Sequence, residues 1–214
     1  IEARRKLLLN SNNKLEIKDL GAGSQTYTSN IKTVSEIAKS SLSSVSKCRI
    51  MFNIILHYKC NTILELGTSL GISSSYFAPT SALNHVITLE GEEKIAALAK
   101  NTHHSLGLKN IEIHTGRFDE TLPIIMTKVH KLDFIFFDGH HLEQPTLHYF
   151  DAVIKKCDES SIIILDDIYW SEGMLKAWDT IKKKPEVTLT IDLFDIGIVF
   201  LNKKLAKENI TYIP

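Results

Sequence analysis

Short runs of apolar residues alternate along this chain with longer segments in which apolar residues recur every three or four positions. The runs have the length of buried β-strands, and the segments have the spacing of amphipathic helices. The predicted strands are Thr62–Leu66, Val86–Glu90, Ile111–Thr115, Leu132–Asp138, Ile162–Asp166, Val187–Asp192 and Ile196–Leu201. The predicted helices that follow the first five strands are Ile72–Pro79, Glu92–Leu106, Glu120–Val129, Pro145–Cys157 and Ser171–Lys183. Because apolar strands joined by helices pair in parallel with both faces covered, the pattern predicts an α/β fold with a doubly wound sheet.

The last two predicted strands break this alternation, since only residues 193–195 separate them. A parallel crossover needs about a dozen residues or more, so these two strands must form an antiparallel hairpin. We therefore predict a Rossmann-like, seven-stranded, mostly parallel sheet whose last strand is antiparallel. A sheet of this kind differs from the all-parallel sheet that is typical of dehydrogenases.

Residues 1–60 do not share the strand–helix alternation. A short helix over residues 1–9 and helical spacing from Val34 to Tyr58, interrupted by serines, predict a helical N-terminal extension. The glycine-containing stretch from Gly21 to Ser24 predicts a flexible connector or a lid, because no buried strand precedes it. We therefore divide the chain into an extension of residues 1–60, on the lid or substrate side, and a domain of residues 61–214.

A glycine turn follows the first predicted strand directly and leads into a helix. Gly67 and Gly71 allow the backbone to turn sharply and to approach a ligand closely. Thr68 and Ser69 add hydroxyl donors and acceptors, and the helix that follows directs its free N–H groups at the same spot. Glu65 lies one residue before the end of the strand, where its carboxylate can meet the same ligand. The combination predicts a site for a nucleoside-type cofactor.

A second acid, Glu90, ends the next strand and is followed by Gly91. An acid about twenty residues beyond a glycine turn can bind the ribose hydroxyls with both carboxylate oxygens. That spacing also suits NAD, but the dinucleotide fingerprint requires G-x-G-x-x-G, and here only Gly67 and Gly71 frame the turn. An NAD-dependent oxidoreductase is therefore kept as the less favoured alternative.

Three carboxylates lie at the carboxyl ends of the fourth and fifth predicted strands: Asp138 and Asp166 end these strands, and Asp167 follows directly. Because these strands are neighbours in this kind of sheet, the carboxylates converge at one edge. Unpaired carboxylates repel each other and need protons or a cation, and hard oxygen ligands suit Mg²⁺ or Ca²⁺. Alternatively, Asp138 orients the cofactor while Asp166 bonds backbone N–H groups. His141 titrates near neutrality and can act as a general base.

These motifs resemble the class I S-adenosylmethionine-dependent methyltransferases, and within them the branch of the catechol and caffeoyl-CoA O-methyltransferases. The likeness covers Thr62 to Leu201. It implies that the turn from Glu65 to Gly71 wraps the methionine portion of the cofactor, with the acid at its ammonium group. It also implies that Glu90 binds the ribose.

The chain departs from the family pattern at the adenine site. The segment from Thr115 to Pro123 resembles a motif in which a short polar side chain after Gly116 binds the adenine amino group, but that position is Arg117 here. A guanidinium has no acceptor, so Arg117 would have to stack on the adenine while Asp119 or a backbone carbonyl accepts the hydrogen bond. Phe118 packs on the adenine or belongs to the core. This departure keeps open a module that binds the cofactor or another nucleoside without catalysis.

A second departure concerns the transfer site. In metal-dependent relatives, aspartates at the positions of Asp138, Asp166 and Asp167 hold a divalent cation that lowers the pKa of an acceptor hydroxyl. The lysine that commonly follows the first aspartate by three residues is His141 here. The resemblance thus implies methyl transfer to an oxygen of a small-molecule acceptor, with His141 and Asp138 as catalytic residues.

The amino-acid composition limits the binding partners and the cellular compartment that we expect for this protein. Lys plus Arg and Asp plus Glu are balanced at 25 each, so no global charge favours nucleic acid or an acidic membrane surface. The apolar runs are too short to span a bilayer. The three cysteines lack the spacing of a disulfide or zinc framework, which favours a reducing, cytoplasmic location. We further expect a homodimer, and expect the chain, which begins at Ile1, to be a piece of a longer protein.

Overall fold

The computed structural model describes residues 1–18 and 29–212. The predicted lid or connector from Gly21 to Ser24 lies outside the described residues. The helices are α1 (Glu2–Leu9), α2 (Val34–Ser41), α3 (Val45–Tyr58), α4 (Ile72–Phe77), α5 (Glu93–Ser105), α6 (Phe118–Lys128), α7 (Glu143–Val153) and α8 (Glu172–Lys183). The strands are β1 (Lys14–Lys18), β2 (Ser29–Thr33), β3 (Thr62–Leu66), β4 (His85–Glu90), β5 (Ile111–Thr115), β6 (Phe134–Phe137), β7 (Ile162–Asp166), β8 (Leu189–Asp192), β9 (Ile196–Phe200) and β10 (Glu208–Thr211). Short 3-10 turns follow α4 and α7.

The main sheet has the order β10-β8-β9-β7-β6-β3-β4-β5. Every pair of neighbours is parallel except the two that involve β9. This confirms the predicted α/β class, the doubly wound sheet and the antiparallel hairpin of β8 and β9. The predicted strand number was wrong, because the described residues form eight strands in this sheet and not seven. The additional strand, β10, is exposed along its length and pairs in parallel with β8. It is also the last strand of the sheet in chain order.

The N-terminal extension was predicted to be helical, but its described residues also contain two strands, β1 and β2. β1 and β2 form an antiparallel hairpin in which Lys14 is opposite Thr33. Leu15 and Ile17 alternate with charged residues in β1, and this period of two is the signal that indicates a half-buried strand. Thr33 then caps α2 reciprocally with Glu36: each residue's side chain accepts the other's backbone N–H.

The core occupies both faces of the sheet. In β3 the side chains alternate, so that Leu64 and Leu66 join one apolar cluster while Ile63 joins the cluster on the opposite face. Trp178 of α8 is fully buried in the first cluster. A third cluster joins the extension to the sheet domain through residues such as Leu8 and Val34. The extension therefore packs on the domain with an apolar interface of its own.

The parallel strands end at one edge of the sheet, and the loops at this edge contain most of the unusual backbone conformations. Non-glycine residues with positive φ occur there at Ser69, His140, Asp167 and Phe194, with φ values of 47°, 66°, 53° and 71°. Such conformations are unfavourable for residues with a Cβ and persist where surrounding contacts fix them. This edge of the sheet is therefore the place to look for a functional site.

Gly197 in β9 provides a test of core packing. A Cβ at this position would lie 2.7 Å from two carbons of the Trp178 ring, which is buried and cannot move away freely. Gly197→Ala is therefore expected to lower the free energy of unfolding by about 1–3 kcal/mol through overpacking. The matched control is Gly173→Ala in α8, where the new Cβ would make ordinary contacts of 3.5 Å with Glu143. Equal stability of the two variants in urea-induced unfolding would contradict this view of the core.

Candidate functional site

A cavity of about 280 Å³ opens at the carboxyl edge of the sheet, under the N-terminal extension. The sheet domain contributes Gly67, Ser69, Glu90, Gly91, Glu92, Ile95, Arg117, Phe118, Asp138, Gly139 and His140 to its lining. The extension contributes Ile17, Lys32, Ile37, Ser40 and Ser41. Seven of the ten residues predicted to bind the cofactor are among these lining residues. The other three, Glu65, Thr68 and Gly71, lie behind the cavity.

The glycine turn is fixed by its close approach to the loop after β6. Gly67 has φ 108°, and a Cβ there would overlap the carbonyl oxygen of Asp138, so only glycine fits. The N–H groups of Gly67 and Thr68 both donate to the carbonyl of Leu89, at 3.0 Å each. The backbone of β3 therefore turns at the cavity wall, next to the aspartate predicted to act in catalysis.

Glu65 is fully buried at the end of β3, and hydroxyl groups surround its carboxylate. It accepts a hydrogen bond from Ser73 of α4 and another from Thr88 of β4, the latter at 2.5 Å. Thr88 also pairs with Thr68 in the turn, at 2.6 Å between the hydroxyl oxygens. Burial raises the pKa of Glu65 to about 7, although the hydroxyl groups oppose this shift. The carboxylate thus joins the turn, α4 and β4, and its predicted contact with the cofactor ammonium stays a prediction.

Glu90 lines the cavity and holds the turn from the other side. Its two carboxylate oxygens accept from the N–H of Ser69 at 2.8 Å and from the N–H of Glu92 at 3.0 Å. Burial raises the pKa of Glu90, and these backbone hydrogen bonds oppose the shift. Each carboxylate oxygen keeps a second lone pair, so both can still accept from vicinal ribose hydroxyls. The residues present here fit the predicted ribose contact.

His103 of α5 lies directly beneath the glycine turn, although the sequence analysis gave it no role. Its Nε2 is 3.0 Å from the hydroxyl of Ser74 and 3.2 Å from the carbonyl of Gly71. A Cβ at Gly71 would lie 2.6 Å from the same nitrogen. Burial lowers the pKa of His103 to about 4, which keeps the imidazole neutral. The sequence does contain a signal for the burial of His103. It follows Ala96 by seven residues and Ala99 by four, a spacing that places all three on the buried face of α5.

The predicted adenine end of the cavity combines an aromatic group with a surface ion pair. Phe118 lines the cavity and also packs against the ring of Tyr149 in a T-shaped arrangement. Its predicted contact with the adenine stays a prediction. The Tyr149 hydroxyl donates to Asp119 at 2.9 Å and lies 3.5 Å from Nδ1 of His140. Arg117 is exposed and contacts Asp119 at 3.5 Å.

Asp138 lines the cavity, and His141 lies beside Asp138 without itself belonging to the lining. Asp138 accepts from the hydroxyl of Ser43 at 3.2 Å, and its other oxygen is 3.9 Å from Nε2 of His141. Burial, followed by the charges of Asp166, Glu65 and Asp167, raises the pKa of Asp138 well above its usual value. Burial lowers the pKa of His141, against the attraction of Asp167 and Asp166.

Two of the predicted metal ligands form ion pairs with Lys47, a residue that had no role among the sequence predictions. Nζ of Lys47 in α3 lies 2.7 Å from Asp166 and 3.6 Å from Asp167. Burial alone would lower the pKa of Lys47, but the hydrogen bond and charge of Asp166 raise it, so the ammonium form is kept. Among the described residues, no group of three or more His, Cys, Asp or Glu side chains is arranged to hold a metal ion. Asp138, Asp166 and Asp167 therefore do not fit Mg²⁺ or Ca²⁺ in this arrangement.

Exposed aromatic side chains lie next to these acids. Trp170 is 71% exposed, and Tyr169 stacks on Phe194 with 5.3 Å between the ring centroids. The hydroxyl of Tyr169 donates to Asp192 at 2.6 Å, and Asp167 is joined to the same loop through a backbone hydrogen bond. Tyr169 and Trp170 thus stand at the surface just outside the lysine–aspartate cluster.

Comparison with known proteins gives concordant matches. A family model described as a methyltransferase domain matches residues 64–168. The O-methyltransferase imqG of Aspergillus flavus is 29% identical over 125 residues, which are 56% of this chain and 49% of that protein. The chain spans about half the length of the curated relatives it matches, namely 57% and 49% of them.

Solved structures extend the comparison to about three quarters of the chain. An O-methyltransferase from Bacillus cereus, crystallised with S-adenosylhomocysteine (SAH), matches with a TM-score of 0.66 and 25% identity over 75% of this chain and 83% of that one. A Staphylococcus aureus protein provisionally described as a caffeoyl-CoA O-methyltransferase matches with a TM-score of 0.68 and 21% identity, over 78% and 88% of the two chains. The second likeness shows the fold alone. Together the matches confirm the resemblance inferred from the motifs.

In the described residues, no helix is long and apolar enough to cross a membrane.

The buried imidazole beneath the turn predicts a pH dependence of stability. His103 has a pKa of about 4 in the folded chain against 6.5 for an ordinary histidine, so the unfolded chain binds the proton first as the pH falls. Stability from this group is therefore complete above pH 6.5 and is lost between pH 6.5 and about 4, by roughly 3 kcal/mol.

His103→Gln removes the titrating group and is expected to flatten this part of the curve. The free energy of unfolding, measured with urea at several pH values, checks the difference. The control is His104→Gln, because His104 is the exposed neighbour in α5. A wild-type curve that runs parallel to that of His103→Gln between pH 6.5 and 4 would contradict the assignment.

Proposed function

We propose that this chain, which carries an S-adenosylmethionine-dependent methyltransferase domain, transfers a methyl group to an oxygen of a small-molecule acceptor. The observation that carries the proposal is the convergence of Ser69, Glu90 and Asp138 on one cavity at the carboxyl edge of the sheet. The matches to O-methyltransferases support the choice of oxygen as the acceptor atom.

The cavity supports binding of the cofactor in an extended orientation. Glu90 offers two acceptors to the ribose, and Phe118 offers a ring face to the adenine. The turn from Gly67 to Gly71 takes the methionine portion, near the inner end at Asp138. When bound, S-adenosylmethionine supplies a methyl group that its sulfonium already activates. The protein therefore needs chiefly to hold the acceptor oxygen in line with that methyl group.

His141 is the general base in this proposal, and Asp138 orients it. A neutral imidazole takes the hydroxyl proton as the oxygen forms its bond to the methyl carbon, and the electrons of the breaking carbon–sulfur bond stay with sulfur. The lowered pKa of His141 keeps the imidazole in its neutral, basic form. The raised pKa of Asp138 shows how unfavourable an unpaired charge is at this buried position. An imidazolium formed at His141 would relieve that cost.

The extension of residues 1–60 acts as the cover of the cofactor cavity. Ile37 and Ser40 of α2 line it directly, and the hydroxyl of Ser41 lies 2.7 Å from that of Ser69 in the glycine turn. The acceptor enters on the side of Tyr169 and Trp170, whose exposed rings offer an apolar surface beside the acids.

The first test is binding of SAH by calorimetry. Glu90→Gln is expected to weaken binding by about tenfold to 100-fold, because hydrogen bonds to a charged acceptor are lost. Glu93→Gln is the control, since Glu93 is exposed and is not among the residues that line the cavity. NAD is titrated in parallel, and tighter binding of NAD than of SAH would overturn the proposal in favour of an oxidoreductase.

The second test concerns the base. His141→Gln is expected to lower kcat for release of SAH by on the order of 10²- to 10⁴-fold, because a positioned base is lost. The affinity for SAH is expected to remain unchanged, and the exposed His130→Gln serves as the control. A variant that binds the cofactor and keeps its full kcat would exclude His141 as the base. Intact cofactor binding with no turnover in the wild-type protein, over a panel of phenolic and aliphatic alcohols, would favour a non-catalytic binding module.

A further inference from the structure

Lys47 is built into the site by the first turn of α3. The hydroxyl of Ser44 caps this helix by accepting from the N–H of Lys47 at 3.2 Å, which fixes the backbone at the start of the side chain. The side chain of Lys47 is only 14% exposed. It hydrogen-bonds Asp166 at the end of β7, which lies 119 positions later in the sequence. A lysine held in this way is a structural part of the acidic cluster and not a solvated surface charge.

The negative charges around Lys47 hold its ammonium group between the aspartates. Asp166 is 6% exposed in its side chain and hydrogen-bonds the ammonium at 2.7 Å, and Asp167 is within ion-pair distance. Asp195, from the loop between β8 and β9, adds further negative potential at the same ammonium. Removing one partner of such a buried pair would leave an uncompensated charge.

Lys47 contacts one oxygen each of Asp166 and Asp167, which are two of the three aspartates predicted to hold a divalent cation. Mg²⁺ requires near-octahedral oxygen coordination at about 2.0–2.1 Å, and Ca²⁺ requires six to eight oxygens at about 2.3–2.6 Å. An ammonium group in direct hydrogen-bond contact with Asp166 excludes a cation from that oxygen, by overlap and by like-charge repulsion. The ammonium and the divalent ion are therefore alternatives at this position.

We propose that Lys47 is a positioning residue that takes the place of a divalent metal, so that methyl transfer by this chain needs no metal ion. Its ammonium neutralises Asp166 and Asp167 and holds them beside Asp138 and His141. The inference rests on the proposed function, because it assigns activation of the acceptor hydroxyl to the base instead of to a metal. It also explains how the buried Asp138 and Asp166 and the partly exposed Asp167 lie close together.

The test measures binding of Mn²⁺, a hard cation that carboxylates bind and that is detected by electron paramagnetic resonance. The wild-type chain is expected to show no saturable binding at this site. Lys47→Met is expected to bind Mn²⁺ about tenfold more tightly or better, because the competing ammonium is gone. Adding Asp166→Asn to that variant is expected to abolish the gain. Lys176→Met serves as the control, since it removes an exposed lysine that is paired only with Glu172 of the same helix.

Two further readouts separate this role from a purely structural one. Mn²⁺ is expected to raise the unfolding temperature of Lys47→Met and to leave that of the wild type unchanged. Lys47→Arg keeps the positive charge and is therefore expected to bind no Mn²⁺ at this site, like the wild type. Turnover by the wild type is expected to be unaffected by EDTA. SAH binding is measured on the same samples, so that a failure of the proposed function is distinguished from a failure of this inference.

Saturable Mn²⁺ binding by the wild type, abolished by Asp166→Asn, would overturn the proposal. So would a loss of wild-type turnover in EDTA that Mn²⁺ or Mg²⁺ restores. If Lys47→Met is too unstable to purify, the wild-type measurements decide alone, because both are made on the unmodified chain.

Discussion

The arrangement of this site depends on the contact between the turn after β3 and the loop after β6. Gly67 lies so close to the carbonyl of Asp138 that no side chain fits between them. The N–H of Asp138 donates in return to the carbonyl of Leu66 at 2.8 Å. The turn predicted to bind the cofactor and the aspartate proposed to act in transfer are thereby fixed against each other by backbone atoms alone. Few side-chain changes elsewhere can alter their spacing, because parallel pairing of β3 with β6 sets it.

This close packing creates an electrostatic problem, since it places several carboxylates out of water. The structure meets it in three different ways. Glu65 is surrounded by hydroxyl groups, Glu90 accepts backbone N–H groups, and Asp166 is paired with Lys47. Among the described residues, Asp138 is contacted by the hydroxyl of Ser43 and by the more distant His141, and burial raises its pKa well above the usual value. An acid with so little compensation lies where proton transfer is proposed, which agrees with the tendency of perturbed groups to mark functional sites.

The sequence predicted those parts of the molecule that local patterns determine. The strands β3 to β7 follow from apolar runs, and the glycine turn and Glu90 follow from fixed spacing along the chain. β10 was not predicted because it contains a single apolar residue, Ile210, and so has neither an apolar run nor a local period that marks a strand; it pairs at the edge of the sheet with β8. Lys47 was missed for a related reason: its partner is 119 residues away, and only the folded chain brings the two together. Three carboxylates alone suggested a metal, whereas the tertiary structure supplies an ammonium.

The N-terminal extension is more than a cover in this structure, because its side chains complete the polar site. Ser43 bonds Asp138, Lys47 bonds Asp166, and the carbonyl of Ser43 is in turn held by the buried guanidinium of Arg5 at 2.7 Å. A chain of contacts thus runs from α1 to the carboxyl edge of the sheet. If the extension moved away from the sheet, Asp138 and Asp166 would lose their contacts with Ser43 and Lys47. In the proposed function, opening of the cavity for cofactor exchange would therefore be coupled to loss of the geometry for transfer, because the cavity-lining residues of α2 lie next to this segment.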